Sequence, residues 1–129
     1  MSVLLQADAE FLLEALADDG MVLTVTLRPT RKEGGRVMAD RLAGASTVTF
    51  ASPMAYQVMD EVVAAMHGLA APDAQTVLFE ISGNAFIDGH GLARLRPGVR
   101  HFLLRTAHSV LWAACDEAPA VHLPELTHA

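Results

Sequence analysis

Residues 76–95 read TVLFEISGNAFIDGHGLARL and combine an apolar run, a turn and a helix start. The run Thr76–Ile81 is rich in residues that favour β-structure, and three turn formers follow at once, which predicts a buried strand that ends abruptly. Leu92 and Leu95 then recur at helical spacing. We expect Asp88 to cap this helix, because its carboxylate can accept from the unpaired N–H groups of the first turn. The stretch predicts a strand, a loop and a helix N-terminus.

This stretch resembles the signature of the STAS domain, the fold shared by anti-sigma factor antagonists and the cytoplasmic tails of sulfate transporters. In that family a central strand leads into a loop of the type Leu-Ser-Gly-x-x-Phe-Ile-Asp-Ser-Ser-Gly-Leu-x-x-Leu. The matching positions here are Ile81, Ser82, Gly83, Phe86, Ile87, Asp88, Gly91, Leu92 and Leu95. Gly89 and His90 stand where the family carries hydroxyl residues that a kinase phosphorylates.

The resemblance implies a fold and a function. We expect residues 21–129 to form one STAS-like α/β domain with a small mixed β-sheet and helices mainly on one face. The implied function is a regulatory protein–protein interaction module rather than an enzyme. Partner contacts would come from the loop and helix start, at Asp88, Gly89, His90, Gly91, Leu92 and Arg94. Because no hydroxyl stands at positions 89 and 90, the module would be permanently competent or switched by another signal.

The first half of the chain is assigned from apolar spacing and turn residues. Residues 1–20 predict an N-terminal amphipathic helix, because apolar side chains between Leu4 and Leu16 recur at helical spacing with acidic residues between them. The alternating stretch 21–28 predicts a half-buried strand. A basic turn and a weaker strand at 36–43 complete a hairpin, and 47–50 forms a further short strand.

The second half contains two further predicted helices. Ser52 and Pro53 suit a helix start, so a helix is expected over 53–67. Apolar residues after Pro97 also repeat at helical spacing, which predicts another helix from about residue 99 to 110. Residues 109–115 form a short apolar run that fits a strand or a continued helix. Residues 116–129 are expected to be irregular, since they contain two prolines.

A second resemblance points to part of the crotonase (enoyl-CoA hydratase and isomerase) family. Its motif, Gly-x-Ala-Phe-x-x-Gly-His-Asp-Leu before a helix, is matched with one residue of slack by Gly83, Ala85, Phe86, Gly89, His90 and Leu92. The resemblance implies that the N–H of Gly89 or a neighbour stabilises a thioester enolate. The chain is much shorter than a crotonase subunit, so this alternative describes a truncated or split protein acting on acyl-CoA thioesters.

Composition limits the class of partner. The formal net charge is −6, which disfavours nonspecific binding to nucleic acid or anionic lipid, because both need a positive surface. No apolar run is long enough to cross a bilayer, and the N-terminus lacks signal-peptide features, so a cytoplasmic location is expected. The remaining partner prediction is another protein, with homo-oligomers included.

Neither the cysteine nor the histidines indicate a metal site or a cofactor. Cys115 is the single cysteine, which excludes an internal disulfide, and its apolar neighbours predict a small buried side chain. The six histidines contain no pair at i, i+4 and no HExxH motif, so no metal site is predicted. Only His90 stands at a position suited to acid/base chemistry, in the loop at the helix start.

Overall fold

The computed structural model describes residues 1–124, which form ten strands and three short helices. The first six strands are β1 (Ser2–Gln6), β2 (Phe11–Asp18), β3 (Val22–Glu33), β4 (Arg36–Ala39), β5 (Ser46–Ala51) and β6 (Ala55–Asp60). They are followed by α1 (Glu61–Met66), β7 (Thr76–Ile81), α2 (Ala85–Gly89), α3 (Leu92–Leu95), β8 (Arg100–Arg105), β9 (Ser109–Cys115) and β10 (Ala120–His122). In this part of the chain no helix is long and apolar enough to cross a membrane.

The strands build two sheets that face each other. Sheet A has the order β1-β7-β8-β9-β6, and sheet B has the order β10-β5-β3-β2, with β4 paired to the outer half of β3. Every pairing is antiparallel. The predicted α/β domain with a small mixed sheet is therefore wrong, and the molecule is predominantly a two-sheet β-structure.

The two sheets enclose the larger part of the core, and three helices lie over the outer face of sheet A. Between the sheets, Leu104 and Leu111 of sheet A pack with residues of sheet B such as Val25 and Phe50. On the helical side, Leu103 and Trp112 pack against buried residues from the helices and their loops. The central strands β8 and β9 are therefore covered on both faces, as strands in the middle layer of three must be.

The predicted N-terminal amphipathic helix, residues 1–20, is wrong, since this segment forms β1 and β2. Register shifts interrupt the pairing of β1 with β7 on either side of Leu5, and that of β2 with β3 between Leu13 and Ala15. A β-bulge adds one residue to a strand and moves the following side chains to the opposite face. Apolar residues then fall next to one another instead of alternating, and this produces the spacing of an amphipathic helix.

The predicted helix over 53–67 is also wrong in its first half, where the chain forms the edge strand β6 instead. Ser52 does not cap a helix: its φ is +44°, and its N–H donates to the carbonyl of Met21. Asp60 takes that role eight residues later, where its carboxylate accepts from the N–H of Val62 at 2.8 Å. Only α1, Glu61–Met66, remains of the predicted helix.

The helix predicted after Pro97 is replaced by β8, and residues 109–115 form β9. Phe102, Leu103 and Leu104 are consecutive and fully buried, because β8 is covered on both faces. Such a continuous apolar run cannot be distinguished from a buried helix by periodicity. The sequence alone was correct for β7, whose bounds match the prediction, and for the hairpin of β3 and β4.

We predict that Leu103→Ala and Leu104→Ala each lower the free energy of unfolding by about 2–5 kcal/mol, since each leaves a cavity in a separate cluster. The measurement is urea unfolding at neutral pH. Val63→Ala, at a position of α1 that is 42% exposed, is the control and is expected to change stability by less than about 0.5 kcal/mol. A small effect at either leucine would contradict the burial of β8 on both faces. It would instead favour the predicted surface helix, in which one of two adjacent residues is exposed.

Candidate functional site

The candidate site is the segment that follows β7, residues 84–95, which we call the corner. It contains α2 and α3, and it lies on the helical side of sheet A. The turn out of β7 uses Gly83 with φ of +67°, a conformation that favours glycine. All six residues predicted to contact a partner lie in this segment, and none of them is buried.

Asn84 fixes the start of the corner, whereas the helix with Leu92 and Leu95, for which Asp88 is the predicted cap, begins at Gly91 without a side-chain cap. The side-chain oxygen of Asn84 accepts from the N–H groups of Phe86 at 2.9 Å and Ile87 at 3.2 Å, which caps α2. Its amide nitrogen donates to the carbonyl of His67 at 2.9 Å, just beyond α1. One side chain therefore satisfies the first turn of α2 and joins it to the preceding helix. The predicted cap at Asp88 is wrong, and its carboxylate is left on the surface.

Gly91 separates the two helices of the corner. Its φ is +67°, and a side chain there would meet open space, so only the backbone conformation restricts the position. The N–H of His90 donates to the carbonyl of Ile87, and the N–H of Gly91 donates to that of Asp88. These backbone donors are therefore already occupied by the turn itself.

Trp112 of β9 supports the corner from below. It is 2% exposed, and its ring lies 4.6 Å from that of His90 and 6.0 Å from that of Phe86, measured between centroids. Phe86 also contacts the rings of His90 at 4.7 Å and His67 at 4.5 Å. We call these side chains, together with His101, the aromatic cluster. Packing of this kind fixes side-chain positions, because each ring restricts the rotamers of its neighbours.

His101 has a defined protonation state. The indole N–H of Trp112 donates to its Nδ1 at 3.1 Å, and an indole nitrogen can only donate. Nδ1 must therefore carry a lone pair, so the proton of the neutral ring is on Nε2. Burial lowers the pKa of His101, while the nearby Asp88 carboxylate acts in the opposite direction. The hydrogen bond from Trp112 and the burial of the ring both favour the neutral form of His101, with Nε2–H as its donor.

His90 carries the opposite tautomer. Its Nδ1 lies 2.8 Å from the carbonyl oxygen of Phe86, which can only accept, so Nδ1 bears the proton. In the neutral ring Nε2 is then an acceptor, and the side chain is exposed. The neutral His90 therefore offers Nε2 as a hydrogen-bond acceptor at the corner. His101, which was not among the residues predicted for the site, adds Nε2–H as a donor.

A hollow of about 180 Å³ lies beside α3. Four of the six predicted contact residues line it, namely Asp88, Gly91, Leu92 and Arg94, and His101 lines it as well. Gly89 and His90 belong to the same corner but do not line the hollow. Asp88 and Arg94 bring opposite charges to one small concave surface. Among residues 1–124, no group of three histidine, cysteine or acidic side chains converges here or elsewhere to hold a metal ion.

We predict that His101→Gln makes stability less dependent on pH between 7 and 5. The pKa of His101 is lower in the folded chain than its ordinary value of 6.5, so acidification through that value favours the unfolded state, which binds the proton more readily. Wild type should lose stability over this range by more than the variant, as measured by urea unfolding at both pH values. Exposed His108→Gln is the control and should keep the wild-type slope. Equal slopes for wild type and His101→Gln would contradict the assignment.

Comparison with protein-family models, curated proteins and solved structures found no match to this chain.

Proposed function

We propose that the protein is a binding module that presents the corner to a protein partner. One observation carries the proposal: the side chain of Leu95 is 79% exposed beside Arg94, whose guanidinium forms no ion pair with the rest of the described chain. Arg94 lines the hollow, and Leu95, its neighbour in the chain, offers a partner an exposed apolar side chain. Arginine is also enriched among the residues that dominate binding energies at interfaces.

The way in which the corner is held favours binding. Asn84 joins α2 to the end of α1, and the aromatic cluster supports α2 from below. A surface that is ordered before it meets its partner loses less conformational entropy on association. A short segment of two helical turns would otherwise be flexible in water, because helices of this length are not stable in isolation.

The side chains define the chemistry of the partner. Arg94 and His101 line the hollow and are both hydrogen-bond donors, and the exposed Leu95 follows Arg94 in the chain. These features suit a partner segment that places a carboxylate near the hollow and an apolar side chain next to it. The Asp88 carboxylate lies on the same surface and would repel a second negative charge, which restricts the register of the partner.

A regulatory role remains our proposal for the function of this contact. It was suggested by the resemblance of residues 81–95 to the STAS signature, and positions 89 and 90 provide no hydroxyl for phosphorylation. The α/β fold expected from that resemblance is not present, so the proposal depends on the corner and not on family membership. The crotonase-like alternative needs a free N–H at Gly89 or a neighbour, and those of the neighbours His90 and Gly91 are occupied, which favours the binding module. The cytoplasmic location stays a prediction.

We predict that Arg94→Glu and Leu95→Asp each abolish capture of the partner in a pull-down with the tagged protein. Both residues are exposed, so neither change should alter folding, which circular dichroism can verify. Arg36→Glu provides a matched control, because Arg36 is also exposed and forms no ion pair among residues 1–124. Its capture of the partner should equal that of wild type.

Titration calorimetry with the purified partner then measures the loss, which we expect to be at least about tenfold in Kd for each corner variant. A differently tagged second copy of the chain belongs in the same experiment, since it tests self-association. If every partner binds the corner variants and Arg36→Glu equally well, the corner is not the binding surface and the proposal fails.

A further inference from the structure

A second and larger concave site lies at the other end of β8. This cleft of about 440 Å³ is bordered by α1, by the loop that precedes β7, and by the ends of β8 and β9. Its apolar lining includes Val62, Ala65, Ala71 and Val110, and its volume is within the range of small-molecule sites. It is separate from the corner, since Arg105 of the cleft and His101 of the hollow are four residues apart along the strand, on the order of 13 Å.

Arg105 brings a positive charge to the cleft. Its Nη2 donates to the carbonyl of Ala74 at 2.6 Å, which fixes the side chain against the loop. Its Nε is buried and has no hydrogen-bond partner within residues 1–124, and no carboxylate of the described chain forms an ion pair with it. The charge of Asp73 is close enough to act on Arg105 but forms no direct ion pair with it, so a ligand carboxylate can still hydrogen-bond to the guanidinium.

Two carboxylates line the same cleft. Oδ1 of Asp73 accepts from the N–H groups of Gln75 and Thr76 and from the hydroxyl of Thr76, at 2.8–2.9 Å. These bonds orient the carboxylate, and its other oxygen accepts no hydrogen bond within the part of the chain described. Glu61 is exposed and also forms no ion pair there. The cleft therefore combines one positive group and two negative groups with an apolar lining.

We propose that this cleft binds a small zwitterion with an apolar side chain, of the class of apolar α-amino acids. The ligand carboxylate pairs with Arg105, the ligand ammonium faces Asp73 and Glu61, and the side chain covers the alanine and valine lining. A ligand with only an anionic group would pair with Arg105 but would be repelled by the two carboxylates. A ligand with only a cationic group would leave Arg105 without its anion.

Calorimetry with three ligands of similar size and shape tests this arrangement. L-phenylalanine carries both charges, 3-phenylpropanoate lacks the ammonium, and phenethylamine lacks the carboxylate. We expect L-phenylalanine to bind at least about tenfold more tightly than either analogue at neutral pH. In Arg105→Gln, L-phenylalanine should lose its advantage over phenethylamine, because the group that recognises the carboxylate is gone.

Two further variants locate the site. Ala65 is exposed and lines the cleft, so Ala65→Trp should fill it without disturbing the core and should abolish binding. Arg36→Gln, at the distant hairpin, should bind like wild type. The proposal is overturned if L-phenylalanine at millimolar concentration produces no heat, if either analogue binds as tightly, or if Ala65→Trp binds normally. If Arg105→Gln proves unstable, the ligand series and Ala65→Trp still decide the matter.

Discussion

The pairing of β8 with β9 is the interaction on which the rest of the structure depends. Leu104 pairs with Leu111 on the face that meets sheet B, and Leu103 pairs with Trp112 on the face covered by the helices. Each face of this hairpin therefore contributes to a different hydrophobic cluster. Burial of apolar area is the main source of stability. Both clusters are built around the same two strands, so this stability depends on the pairing of β8 with β9. Edge strands such as β6 contribute to this centre but do not organise it.

This arrangement connects the core to the corner. Trp112 is a buried core residue, and it is also the surface on which His90 and Phe86 pack and the donor that fixes His101. Tryptophan can fill both roles, because its ring is apolar and packs in the core while its indole N–H is a hydrogen-bond donor. The position of the corner is thus determined by the middle of sheet A. Such support is what a surface with a precise set of donors and acceptors requires.

Sequence patterns predicted the local features and missed the architecture. The strand β7 and the turn that ends it were predicted correctly, because an apolar run followed by turn residues has one simple interpretation, but the expected loop beyond the turn forms α2. Bulges in β1 and β2 removed the alternation that identifies strands, and double burial of β8 produced a continuous apolar run. At the site, Asn84 and His101 were missed. Asn84 stands among turn formers, where a cap has no distinct signal, and His101 reaches the corner only through the pairing of β8 with β9.

Native-state hydrogen exchange tests the central position of the hairpin most directly. We expect the amides of Leu103 and Trp112 to be among the slowest in the protein and to exchange only through global unfolding, so their opening free energy should equal that measured by denaturant. Amides of the edge strand β6 and of β4 should exchange through smaller openings. If the β8 and β9 amides exchanged as fast as those of the edge strands, the hairpin would not be the centre of the fold, and the support of the corner by Trp112 would fail with it.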